Sequence, residues 1–269
     1  MVGRRRSTAP VHLRHLGPER CGRPDRARRP HLGRGLRIVS SSPQLHGFDD
    51  GQALAEALAS AIAGQLRVAI ETRGEALLAV SGGSTPKRLF ELLSQQDLNW
   101  SRVTITLVDE RWVPDSDERS NARMVEALLL QHKAADAEFV PLYVEAATPE
   151  AGIAEVRTRV GALKHPFDVV VLGMGPDGHT ASFFPGGDRL REALDLSNTA
   201  QVLPMRAPGA GEPRITFTLR ELLQAHTLYL HVQGNDKRDV LAQAEQPGSA
   251  LPIANVLRAG RQLDIYWCP

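Results

Sequence analysis

Cysteine is almost absent from this chain: Cys21 and Cys268 stand near opposite ends, and neither belongs to a metal-spaced pair. A disulfide framework is thereby excluded as the source of stability, and a reducing compartment fits. Aromatic residues are scarce as well, at 5% against 42% hydrophobic residues overall, so Leu, Val, Ile and Ala must fill the core. No run approaches the ~18 consecutive apolar residues of a membrane span, and no apolar stretch follows the N-terminal arginines as a secretory signal requires. The nine histidines are dispersed, without H-E-x-x-H or comparable ligand spacing, so no metal site is read. G-x-S-x-G is missing, which removes a serine nucleophile elbow.

The net charge of +1 conceals an asymmetry. Residues 1–37 carry eleven arginines against Glu19 and Asp25, with Pro and Gly throughout and no sustained apolar period. Such a segment cannot bury enough surface to offset its ordering entropy. It reads as a disordered or non-native extension, with a transit peptide or a basic arm as the competing readings. The remaining residues 38–269 must then carry a charge near −8, which speaks against a nucleic-acid-binding core.

From Ile38 onward, helical and strand patterns alternate. Leu54, Leu58, Ile62 and Leu66 recur at helical spacing behind Asp49 or Asp50 as cap. Ala76–Val80 and Val169–Leu172 are continuous apolar runs, as strands buried on both faces require, and Val103–Val108 is a further strand. Phe139–Tyr143, Thr227–Val232 and Leu263–Trp267 add further strands, and helices are expected from Pro86, Ser120-Asn121, Pro149 and Asn235. This alternation predicts an α/β fold: a doubly wound, mostly parallel sheet with helices on both faces, in a single domain over 38–269. Ligands of such sheets bind at the carboxyl ends of strands, and the unusual residues cluster there.

The first cluster is SGGSTP, with Ser81, Gly82, Gly83, Ser84 and Thr85 after the 76–80 strand. Its glycines permit tight turns, Thr85 is placed as N-cap with Pro86 at the first helical position, and the free N–H groups of that helix start suit an anion. The second is VDERWVPDSDERSN, in which Asp109, Glu110 and Arg111 follow a strand end; Arg111 offers a planar fork for phosphate or carboxylate oxygens. The third is GMGPDGHTASFFPG, where Gly173, Gly175 and Gly178 match a dinucleotide fingerprint only loosely. Pro176, Asp177 and His179 crowd the turn that a dinucleotide needs bare, and the loop reads instead as presenting His179 beside Asp177 for general-base work. Arg214 and Lys237 are further cations able to complete a phosphate site.

These segments, with RITFT at 214–218 and GNDK at 234–237, resemble the 6-phosphogluconolactonase family in motif and order over roughly residues 40–267. The resemblance implies an α/β fold shared with glucosamine-6-phosphate deaminases and cofactor-free hydrolysis of a small phosphorylated sugar lactone in the cytoplasm. It involves no metal, nucleic acid or membrane. It makes His179 the base that activates water; the residues themselves offer Asp177 or Asp109 to orient the imidazole. Arg111, Arg214, Lys237 and the Ser81–Thr85 loop become substrate and phosphate contacts. Ser182-Phe183 after Ala181 favours the lactonase over the deaminases. An isomerase or deaminase on the same scaffold and a non-catalytic sugar-phosphate sensor are the alternatives; the sensor has no need of a poised His179.

Overall fold

The computed structural model describes residues 42–269. The arginine-rich extension and Cys21 lie outside the described residues. Strand β1 (Gln44–Gly47) leads into helix α1 (Gly51–Arg73), which Asp50 caps by accepting from the Ala53 amide at 2.8 Å. Leu54, Leu58, Ile62 and Leu66 are fully buried along one stripe of α1. This helix is long and apolar enough to cross a membrane, but that stripe packs into the sheet's core as a core helix does. Truncating any one of the four to Ala would cost about 2–5 kcal/mol through lost transfer energy and the cavity left behind.

Strand β2 (Ala76–Val80) is buried at every residue, as its unbroken apolar run requires. Helix α2 (Lys87–Leu93), strand β3 (Val103–Leu107), the short strand β4 (Asp109–Arg111) and helix α3 (Asn121–Leu128) follow. Next come β5 (Glu138–Val140), α4 (Pro149–Gly161), β6 (Val169–Gly173) and α5 (Leu190–Leu194). The chain continues through β7 (Val202–Met205), β8 (Arg214–Phe217), α6 (Leu219–Leu223) and β9 (Thr227–Gln233), and closes with α7 (Asn235–Glu245), α8 (Ile253–Leu257) and β10 (Asp264–Cys268). Seven strands form one sheet in the order β1-β10-β9-β6-β2-β3-β5, with every pairing parallel. Parallel neighbours need crossover connections, and α2, α4 and α7 lie in them. The α/β expectation holds.

A second sheet was not anticipated. β4, β8 and β7 pair antiparallel in the order β4-β8-β7. Asp109-Glu110-Arg111 therefore does not simply trail off a strand end; it is a strand of its own, pairing with Arg214–Thr216. Val108 joins the two sheets, donating its amide to Val80 and accepting from the Phe217 amide. The weak strand near 139–143 shrinks to β5, and α2 begins at Lys87 rather than Pro86.

Candidate active site

β2 and β6 are neighbours, but the chain leaves them in opposite directions. From β2 the sheet grows through β3 to β5, and from β6 through β9 to β10 and β1. This is a topological switch point, where open α/β sheets bind ligands. Ser81 follows β2 and Gly173 ends β6; the Gly173 amide donates to Ser81 Oγ at 3.0 Å. A cavity of about 250 Å³ opens above this junction. Ser81, Gly82, Gly83, Ser84, Thr85, Asp109, Arg111, His179, Arg214 and Lys237 all line it. Asp177 is not in its wall but reaches it through His179.

The 173–179 loop folds back on itself, with the Gly175 amide donating to the His179 carbonyl and the Gly178 amide to the Gly175 carbonyl. Gly175 has to be glycine, because a Cβ there would stand 2.2 Å from His179 Cε1. Asp177 Oδ1 takes His179 Nδ1 at 2.5 Å and the His179 amide at 3.2 Å. A carboxylate only accepts, so Nδ1 carries the proton and Nε2 the free lone pair. The ring also lies 4.3 Å, centroid to centroid, from Phe184. Of the two acids able to orient the imidazole, the structure gives the contact to Asp177. Asp109 is engaged elsewhere: its Oδ2 accepts from Ser182 Oγ at 2.5 Å and lies 3.9 Å from Arg214 Nη1.

The second sheet brings the two arginines together, for Arg111 and Arg214 are register partners across β4 and β8. Arg214 is buried, donates to the Ala210 carbonyl at 2.8 Å and stands over the Phe184 ring. Its Nε has no hydrogen-bond partner among the described residues. Burial pulls its pKa below the ordinary arginine value, with the Asp109 charge opposing; a guanidinium remains cationic regardless. Arg111 donates to the carbonyl of Arg119 and to Asn121 Oδ1, and its Nε is 3.4 Å from Glu212. Lys237 Nζ donates to Thr85 Oγ1 at 3.4 Å. That contact corrects the expected N-cap: Thr85 turns its hydroxyl to Lys237, and Pro86 stands at the cap position with no side-chain bond.

Three residues at or beside the site carry no role that the sequence alone assigns. Glu110, fully buried, accepts from the amides of Arg111, Asn121 and Ala122 at 2.7–2.8 Å, tying β4 to the start of α3. Burial pushes its carboxyl up to about 7, against the pull of those N–H groups. Asn121 lines the cavity from the first turn of α3. His231, near the carboxyl end of β9, also lines it; burial, and after it the Lys237 charge, hold its imidazole down to about 4. The signal available for His231 was a polar residue inside the apolar run LYLHV.

A cationic cavity at the switch point of a parallel sheet, with a carboxylate-bound histidine on its wall, defines the class: an α/β enzyme for a small anionic substrate. The chain belongs to the glucosamine-6-phosphate isomerase/6-phosphogluconolactonase family, whose model matches residues 49–267. It is similar to a 6-phosphogluconolactonase of Rhizobium meliloti (strain 1021), 54% identical over 85% of this chain and 100% of that one. It is likewise similar to a 6-phosphogluconolactonase of Mesorhizobium japonicum, 49% identical over 86% of this chain and 98% of the other. The crystal structure of a 6-phosphogluconolactonase from Shewanella baltica OS155 superposes with a TM-score of 0.83 at 40% identity, covering 86% of this chain and all of that one.

Proposed function

We infer that this chain hydrolyses 6-phosphogluconolactone to 6-phosphogluconate, with His179 as general base. The observation that carries the reading is the His179–Asp177 pair beside the cavity that Arg111, Arg214 and Lys237 line. The lactone carbonyl is already electrophilic, so the protein must position the sugar, activate one water and stabilise a developing oxyanion. The water oxygen bonds to the carbonyl carbon while His179 Nε2 takes its proton. Asp177 keeps the imidazole in the tautomer that accepts at Nε2 and stabilises the imidazolium that forms. Collapse of the tetrahedral intermediate breaks the ring C–O bond, and the ring oxygen leaves as a hydroxyl with the proton from His179. Arg111 holds the oxyanion, since the Gly173, Gly175 and Gly178 amides already donate within the protein. Arg214, Lys237 and the Ser81–Thr85 loop anchor the phosphate away from the reacting carbon.

Each charge-assisted contact to the phosphate contributes about 1.5–3 kcal/mol. Two such contacts predict a preference of about a hundredfold or more for the phosphorylated lactone over gluconolactone. Initial rates on both lactones in the presence of a chelator, with glucosamine-6-phosphate as a third substrate, test the reading. Equal rates on the two lactones would remove the phosphate-site assignment. Ammonia release from glucosamine-6-phosphate without lactone hydrolysis would move the chain to the deaminase branch of the family.

A further inference from the structure

Asn121 sits where three parts of the site meet, and no motif-based role accounts for its side chain. Its backbone is fixed first. Ser120 caps α3 by accepting from the Arg123 amide, and the Asn121 and Ala122 amides both donate to the Glu110 carboxylate at 2.8 Å. The carboxamide, itself buried, then spans two partners of opposite kind. Nδ2 donates to the Asp109 carbonyl at 3.1 Å, and Oδ1 accepts from Arg111 Nη1 at 3.1 Å. A carbonyl only accepts and a guanidinium only donates, so the pair demands one donor and one acceptor on a short planar fork. Of side chains this length, Asn alone supplies both. The same oxygen also fills the place a side chain would take on the Ser81–Thr85 loop, since a Cβ on Gly82 would lie 2.0 Å from Oδ1.

We propose that Asn121 is a positioning residue for lactone hydrolysis: its carboxamide holds the Arg111 guanidinium in register with the Ser81–Thr85 loop, and its contribution to the reaction runs through Arg111. This rests on the reading of Arg111 as a substrate contact. The other partners of Arg111, the Arg119 carbonyl and Glu212, belong to the 112–120 and 206–213 connections; Asn121 is the one anchored on a helix. Without it, Arg111 keeps its charge but loses the tether that sets where the fork points. A displacement of about 1 Å from productive geometry costs on the order of a hundredfold in rate.

The test is a double-mutant cycle on kcat/KM for 6-phosphogluconolactone, with Asn121→Ala, Arg111→Ala and the double variant, each checked for an intact thermal transition. Asn121→Ala is expected to lower kcat/KM by about ten- to a hundredfold. The double variant should fall within about threefold of Arg111→Ala alone, because residues acting as a unit are non-additive. A merely structural Asn121 would multiply its loss onto that of Arg111→Ala. Such additivity, or wild-type kcat/KM in Asn121→Ala, overturns the inference while leaving the lactonase reading intact. A wild-type protein without lactonase activity, or a fully active Arg111→Ala, removes the underlying reading and this inference with it. Should Asn121→Ala fail to fold, Asn121→Ser, which suits a helix start but cannot reach Arg111, takes its place in the same cycle.

Discussion

The His179 ring lies so close over Gly175 that a Cβ on that residue would stand 2.2 Å from Cε1 and 2.3 Å from Nδ1. Gly175 is therefore part of how His179 is aimed, though it contributes no functional group. Gly175→Ala must push the imidazole off its seat or strain its bond to Asp177, since the ring is also held against Phe184. The expected result is a fall in kcat of about ten- to a hundredfold, the scale of a misplacement near 1 Å, with little change in KM. Steady-state kinetics on 6-phosphogluconolactone decide it, and an unchanged kcat would show that the ring has room to move.

His179→Ala should cost about two to four orders of magnitude in kcat, the usual worth of a positioned general base, with KM nearly unchanged. Asp177→Asn keeps the shape but is free to present an amide donor to Nδ1, which destabilises the tautomer with its lone pair at Nε2. It should lower kcat by less than the histidine variant does. Arg214→Ala and Lys237→Ala should act mainly on KM, because a phosphate anchor is made in ground and transition states alike. Wild-type turnover in His179→Ala would send the search for the base elsewhere in the cavity.

Which of these residues were legible in sequence follows from the reach of each signal. Ala76–Val80 and Val169–Leu172 announce themselves because a strand buried on both faces reads as an unbroken apolar run, and the loops behind them then lie at carboxyl ends by rule. His179 stands out that way and Arg111 after the 103–108 strand, whereas Arg214 and Lys237 stand out only as scattered cations; one cavity gathers all four. The second sheet was not legible. β4 is three polar residues with no period, and its partner Arg214–Thr216 lies about a hundred residues away. Nothing local states that Arg111 and Arg214 face each other. Asn121 was visible only as a helix start, because the role of its carboxamide depends on Asp109, Arg111 and Gly82 converging from separate elements.

His231 shares the cavity wall with His179, which raises the question of which imidazole governs the acid limb of the rate profile. Burial and the Lys237 charge hold His231 down to about 4, so it is neutral over most of the range above pH 5. His231→Asn should therefore leave the acid limb of kcat/KM between pH 5 and about 7 where it stands in the wild type, whatever it does to the plateau. A limb displaced by half a unit or more would mean that His231 is the titrating group.

A histidine remote from the cavity should make stability fall as pH rises above ~6.5. His165 Nδ1 lies 2.8 Å from Glu221 Oε1 and its Nε2 3.1 Å from the Val160 carbonyl. Nε2 is the nitrogen in hydrogen-bonding geometry, while Nδ1 faces the Glu221 carboxylate out of line for a hydrogen bond, so the imidazolium gains an ion pair there. Burial works against that charge, but the Glu221 carboxylate, with the Val160 carbonyl, outweighs it, and the pKa is raised. A raised pKa means the folded state binds more protons than the unfolded one. Its stabilisation is complete below the unfolded value of ~6.5 and is lost as pH climbs through the folded value. Glu110, pushed up to about 7, has the same sign from the ordinary carboxylate range upward, whereas His231, held near 4, has the opposite sign up to ~6.5. Those two oppose each other in acid and are both spent above about pH 7. The Cys268 thiol, raised by burial and then by the Asp50 charge, begins to matter only beyond ~8.5. As pH rises above ~6.5, the His165 contribution to Tm should decline in the wild type, and His165→Gln, which keeps a donor toward Glu221 but cannot titrate, should flatten that decline. Equal slopes in the two proteins, measured by calorimetry in matched ionic strength, would show that the His165–Glu221 pair does not set the alkaline limit.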